Sequence, residues 1–173
     1  MHVLPTDRNF LAIPEPELCS YENSKFVIQQ VPYEHTSSYL QGSSKGPGAI
    51  IEASHFVEFY DEMIDSETYK KCGIATLPPM DFTNQVDAAA IALIEKETSE
   101  HLEKNKYVVS LGAEHTVTFG FVRAFKKKYD DVHVLQIDAH SDLRLSYHDN
   151  IYSHASVMAR VHEHNVPLTQ IGI

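Results

Sequence analysis

The residues best suited to chemistry stand at the ends of two apolar runs. Val132 to Arg144 reads VHVLQIDAHSDLR, an apolar run that stops in Asp138, His140 and Asp142. Alternate residues of an extended chain point the same way, so a strand ending here aims all three at one point beyond it. One run earlier, Tyr107 to Thr116 reads YVVSLGAEHT: a β-branched stretch, then Gly112, Glu114 and His115. Carboxylates and imidazoles without sulfur suit Mn2+, Fe2+, Co2+ or a hydrolytic zinc more than a structural zinc. Asp138 with Asp142 and histidines from two strands point to two ions sharing a carboxylate. Such a pair lowers the pKa of a held water and stabilises charge on an attacked carbon or phosphorus. Taken singly, each residue is equally well a helix cap or a solvated side chain, as Glu114 and Thr116 at a helix start illustrate. Two clusters at two successive strand ends favour the metal reading.

The rest of the composition narrows the class. The 173 residues form one domain with room for a core. An apolar fraction of 43% and a charged fraction of 22% are ordinary for a globular protein. No apolar segment has membrane-spanning length and the start lacks a basic region followed by an apolar one, so a cytoplasmic protein that does not engage a membrane is expected. The net charge is −10, from 14 Lys+Arg against 24 Asp+Glu, which argues against binding phosphate backbones and hence nucleic acid. Cys19 and Cys72 are too few and too far apart for a disulfide framework or a thiolate zinc site, and read as free thiols. Of the 11 histidines, His115, His133, His140, His148, His154, His162 and His164 crowd the C-terminal third. His148, His162 and His164 are read as solvated.

The elements that must position these groups alternate between strand and helix. Residues 1 to 24 carry Pro5, Pro14 and Pro16 and read as an aperiodic arm. Residues 25 to 32 read as a strand, and HTSSYLQGSSKGPG after it as a loop whose glycines match no phosphate-binding motif. Apolar spacing predicts a helix over 49 to 63, with Pro47 at its start, and a second over 87 to 104. Between them Ile74 to Leu77 reads as a short edge strand. Strand 107 to 111, helix 116 to 129, strand 132 to 137, helix 154 to 164 and strand 168 to 173 complete the pattern. Such alternation predicts an α/β protein, a mainly parallel sheet covered by helices on both faces, with ligands bound beyond the carboxyl ends of the strands. The last strand ends with the chain and has nothing to cover it, so the chain is expected to be the N-terminal portion of something longer.

These residues carry a family resemblance. LGAEHT resembles the G-G-[DE]-H-[ST] motif and IDAHSDLR the D-A-H-x-D motif of the ureohydrolases, the family of arginase and agmatinase. HTSSYLQGSSKGPGAIIEASHFVEFYDE is similar to an agmatinase segment with T-S-Y, G-x-x-x-G-P-x-A-I and E-x-Y-D elements in that order, and SHASVMARV is agmatinase-like as well. The resemblance covers residues 25 to 173, the N-terminal portion of a single ureohydrolase domain, with residues 1 to 24 an arm before it. It implies an arginase-like three-layer α/β/α fold, truncated before its C-terminal part.

Carried over by position, the resemblance implies two Mn2+ ions in a complete site. His115 and Asp142 bind one, His140 binds the other, and Asp138 bridges them. Asp142 also passes a proton to the departing amine, and His154 is the active-site histidine that shuttles protons or assists product release. A dimanganese-bridging hydroxide attacks a guanidino carbon, most simply that of agmatine, to give putrescine and urea. Tyr147, Ser37 and Tyr39 line the pocket by the same correspondence. The family's usual assembly implies a homo-oligomer, a trimer or hexamer. Ala113 replaces the second glycine of the first motif. The family's S-x-D-x-D-x-x-D-P motif, with two further aspartate ligands, has no counterpart in this sequence. Other amidinohydrolases (arginase, guanidinobutyrase) remain as alternatives, as do a catalytically silent ureohydrolase fragment and a dinuclear phosphoesterase. The last is opposed by the absence of a G-N-H motif.

Overall fold

The computed structural model describes residues 1–173. Its N-terminal part contains α1 (Pro16–Cys19), β1 (Phe26–Val31), α2 (Gly46–Ser54), α3 (Tyr69–Cys72) and β2 (Ile74–Pro79). Next come α4 (Ala88–Glu103), β3 (Tyr107–Gly112), α5 (Thr118–Lys128), β4 (Val134–Ile137), α6 (Val157–Glu163) and β5 (Leu168–Ile171). The strands pair in parallel throughout, in the orders β2-β1-β3 and β4-β5. β1 is central and is covered on both faces, its two glutamines being hydrogen-bonded where they are buried. Val27, Gln29 and Val31 are all 0% exposed. On that side Gln29 Oε1 accepts a hydrogen bond from Thr98 of α4 at 3.1 Å, and Val31 packs with Ala90 and Ile94. On the other side Thr76 Oγ1 of β2 accepts the Phe10 N–H at 2.8 Å, and Ser54 Oγ of α2 accepts the Leu11 N–H. Helices therefore lie on both faces of a parallel sheet, an α/β arrangement of three layers.

A second core joins the two sheets. Ile91 of α4, Phe119 and Val122 of α5, and Val157, Met158 and Val161 of α6 form one buried cluster, with Val134 and Leu168 packed against it. Gly120 lets α5 approach α4 closely, since a Cβ there would stand 2.7 Å from Ile94 Cβ. β3 and β4 do not pair with each other. Between them lies a cleft of about 520 Å³, lined by Ser110 and Gly112 of β3 and by Val134, Leu135 and Ile137 of β4. The alternating pattern predicts one sheet. The observed strands form two parallel pieces, joined through the α4–α5–α6 core rather than by a ladder.

Two local expectations change. The helix read over 49 to 63 ends at Ser54, whose hydroxyl turns back to the Ile51 carbonyl at 2.6 Å. Phe56, Val57, Tyr60, Met63 and Ile64 keep helical spacing yet lie exposed, and apolar spacing without a surface to bury does not hold a helix. The arm is also less irregular than three prolines imply. Pro16 sits in the first turn of α1, where its missing N–H costs nothing. Buried Asn9 accepts the Ile13 N–H at 2.9 Å and donates to the Ile13 carbonyl, tying the arm down.

Candidate metal centre

Two strand ends deliver three donors to one place. β3 stops at Gly112, where a Cβ would meet Val117 Cγ2 at 2.8 Å, so the chain can double back into a short turn of 3-10 helix at His115–Val117. That turn presents His115. β4 stops at Ile137, and the next residue, Asp138, folds its carboxylate onto the His140 N–H at 3.0 Å. Asp142 takes φ +51, a left-handed conformation tolerated by aspartate, and turns its side chain back toward β3. His115 Nδ1 lies 2.6 Å from Asp142 Oδ2 and 3.2 Å from Asp138 Oδ2. The three donor atoms lie within 4.8 Å of one another.

The period-two convergence expected of Asp138, His140 and Asp142 is not what forms. Extended geometry ends at Asp138, and the turn closed by the His140 N–H swings the His140 ring outward. Its side chain is 84% exposed and Nδ1 lies 3.7 Å from Asp138 Oδ1. The structure thus brings together His115, Asp138 and Asp142, and leaves His140 beside them. The donor set of one imidazole and two carboxylates fits a hard or borderline divalent cation, with water to complete its coordination. Three protein donors fall well short of the ten to twelve, roughly, that two such ions require.

His154 opens a 3-10 turn at His154–Ser156 that leads into α6, and with Ser38, Asp142 and Tyr147 it lines a cavity of about 510 Å³. The Tyr147 ring stands edge-on to His154, with centroids 5.6 Å apart, and the Arg144 guanidinium lies 5.3 Å from the Tyr147 centroid. Ser37, expected in the pocket, instead gives its hydroxyl to Glu34, and Tyr39 is 90% exposed. His148, His162 and His164 are exposed, as read.

Two supports for this site were not read from the sequence. The first is a pair of glutamines. Gln136, buried in β4, donates to Asp138 Oδ2 at 3.2 Å and to the His140 carbonyl at 3.0 Å. Gln170 of β5 donates to Gln136 Oε1 and to the Ser141 carbonyl, so the neighbouring strand braces the 138–142 turn. A glutamine inside each of two short apolar strands was the available signal. The second is the loop over the cavity. Glu114 Oε2 accepts the N–H groups of His35 and Thr36 at 3.0 and 2.8 Å, and Oε1 accepts the Thr36 hydroxyl at 3.0 Å. Glu34 accepts the N–H groups of Gly42, Ser43 and Ser44. No local pattern announces such long-range anchors.

The electrostatics follow from these contacts. The His140 N–H holds the Asp138 carboxyl below the usual carboxylate range, against partial desolvation, with the Gln136 amide and His115 adding to the effect. Desolvation pushes Glu34 upward, but the N–H groups of Ser44 and Gly42 and contacts with Ser43 outweigh it and bring the group down to about 2. Both carboxylates are kept charged, one at the candidate ligand set and one at the root of the loop.

Comparison with known proteins identifies the family. Residues 24–173 match the arginase family. An N(1)-aminopropylagmatine ureohydrolase from Synechocystis sp. is 36% identical over 161 residues, covering 90% of this chain and 53% of that protein. An agmatinase from Bacillus cereus is 36% identical over 146 residues, covering 82% and 49% respectively. The solved agmatine ureohydrolase of Thermoplasma volcanium superposes with a TM-score of 0.75 at 34% identity, over 83% of this chain and 47% of that one. The chain spans about half the length of the curated relatives it matches. With the G-A-E-H and D-A-H-S-D turns meeting at one set of donors, and the match running from residue 24 to the last, this chain belongs to the arginase family.

Proposed function

We propose that this chain carries part of the active site of a metal-dependent ureohydrolase that cleaves a guanidino C–N bond, with agmatine or an aminopropylated agmatine as substrate. The meeting of His115, Asp138 and Asp142 beside a cavity lined by His154 carries the reading. In this proposal His115, Asp138 and Asp142 hold a divalent ion, Mn2+ by family, and His140 with further donors completes a pair. A bound metal pair supplies an acidified water and stabilises charge on the attacked carbon, which a resonance-stabilised guanidinium requires. The chain's own residues then position and move protons. In this reading Asp142, hydrogen-bonded to His115, accepts a proton and hands it on to the departing amine, and His154 exchanges protons with the cavity. The acidic ligand set favours a small cationic substrate. In the same reading the cleft between β3 and β4 admits the further carboxylates that a metal pair needs, and the protein assembles as a homo-oligomer.

Urea release from agmatine and its aminopropyl, guanidinobutyrate and arginine counterparts, with Mn2+ present, tests this directly. Activity lost in His115→Ala and Asp138→Ala is the expected result, and unchanged turnover in either would remove the reading. A second reading, a catalytically silent fragment, draws on the three-donor set. Calorimetry that finds two tightly held Mn2+ per chain would count against that one.

A further inference from the structure

Three hydroxyl and carboxyl groups around His154 form a directional chain. The Thr36 hydroxyl has one proton and two lone pairs. Glu114 Oε1, 3.0 Å away, belongs to a carboxylate that accepts on its other oxygen as well, so the Thr36 proton goes to Glu114. Thr116 Oγ1 stands farther off at 3.5 Å and is the weaker claimant. Thr36 Oγ1 is then an acceptor for its remaining partners. One is the His154 backbone N–H at 3.0 Å, which can only donate. The other is His154 Nδ1, also at 3.0 Å. The remaining oxygen lone pair would repel that of an unprotonated Nδ1, so Nδ1 carries the proton. In the neutral ring this leaves Nε2 with a lone pair, and Ser38 Oγ, 3.1 Å away, donates to it.

We infer that Glu114, acting through Thr36, fixes His154 in the Nδ1–H tautomer and leaves Nε2 as the proton-accepting atom on the cavity side. Glu114, Thr36 and Ser38 are positioning residues, and the inference rests on the reading of His154 as the residue that exchanges protons there. A histidine's tautomer is set by what its other nitrogen bonds, and a base with the wrong nitrogen protonated cannot accept in the right place. Glu114 also anchors the backbone of His35 and Thr36, so one side chain sets both the height of the loop over the cavity and the ring beneath it. Glu34, clamped on the N–H groups of Gly42 to Ser44, holds the far end of that loop and so keeps Ser38 at Nε2.

The test is long-range 1H–15N correlation of histidine ring nitrogens in the whole chain at pH about 8.5, where an unperturbed ring is neutral. His154→Gln assigns the resonances. An Nδ1–H form favoured by roughly tenfold is expected, the preference that a hydrogen-bond chain ending in a charged group supports. Thr36→Val should lose that preference, Thr36→Ser should restore it, and Glu114→Gln should weaken it severalfold, with backbone spectra confirming the fold. An Nε2–H form or an even mixture in the unmodified chain would overturn the inference, and so would a folded Thr36→Val that keeps the ratio. If Thr36→Val does not fold, the unmodified chain and Glu114→Gln decide. A locked ring without urea release from any guanidino compound would remove the ureohydrolase reading and leave this one standing. Urea release from a chain whose ring is unlocked would do the reverse.

Discussion

His115 and Asp142 are hydrogen-bonded at 2.6 Å although they leave different sheets, one after β3 and the other after β4. No backbone ladder joins those strands, so the site itself is one of the links between the two halves of the molecule. A divalent ion taking these groups as ligands should therefore stabilise the fold as a whole. At one hundred times its dissociation constant an ion adds about 2.7 kcal/mol. Thermal melts with and without Mn2+ should show a clear upward shift that His115→Ala and Asp142→Asn abolish. Exposed His140 is expected to matter less, and His140→Ala should keep most of the shift. Equal loss in all three variants would show that the three donors alone do not hold the ion.

The loop over the cavity should be acid-sensitive through Glu34. Its carboxyl is held at about 2 in the folded chain against an ordinary value of 4.5. A depressed acid contributes stability that is complete above its unfolded pKa and is lost as pH falls through the folded one. The window is therefore pH 4.5 down to about 2. Denaturant melts across that range should fall more steeply for the unmodified chain than for Glu34→Gln, which lacks the titrating group. Parallel slopes would mean that the four N–H contacts to Glu34 are not maintained in solution.

Much of this arrangement is legible in the sequence, because some residues answer to local rules. Phe26–Val31 is mostly apolar between Lys25 and Pro32 and becomes the central strand. The Ala-rich stretch after Asp87 becomes α4, and the two donor-bearing turns fall just past strand ends. What escapes reading depends on partners distant in the chain. Thr36 is 118 positions from His154 and 78 from Glu114, so its role appears only once the fold brings them together. The outward turn of His140 escapes for the opposite reason. It is decided within two residues, by an N–H that Asp138 captures, and period-two reasoning assumes that the extended chain continues.

Gly120 gives a sharper test of the shared core. Alanine is the better helix former by about 1 kcal/mol, which taken alone would make Gly120→Ala stabilising. Its Cβ would stand 2.7 Å from Ile94 Cβ and Cγ2 and 3.0 Å from the Ile91 carbonyl. A clash with Cβ and backbone is not relieved by rotating a side chain, so α5 must move off α4 at an overpacking cost of roughly 1–3 kcal/mol. Overpacking should win, and Gly120→Ala should melt earlier. Ile94→Ala removes Cγ2, so the double variant should lose less than the sum of the two single ones. Strict additivity would show that the helices are not in contact at this point.

A second pH window should come from His101 at the end of α4, well away from the candidate site. The ring is 2% exposed and its Nδ1 is hydrogen-bonded to the Tyr21 hydroxyl at 2.8 Å. Desolvation lowers its pKa from the ordinary 6.5, Lys104 and Lys106 reinforce this, and Glu100 opposes it. For a base that binds its proton less readily when folded, the unfolded chain holds more protons below pH 6.5. Stability is then complete above 6.5 and declines as pH falls from there toward the lowered folded value. This window lies above that of Glu34, so the two effects separate on the pH axis. His101→Gln should be less stable than the unmodified chain at pH 8, since it breaks the Tyr21 contact. The gap should narrow as the pH falls below 6.5, where only the unmodified chain must bury or expel a cation. A gap that stays constant from pH 8 to pH 5 would mean that the ring already opens to solvent and carries no folded-state penalty.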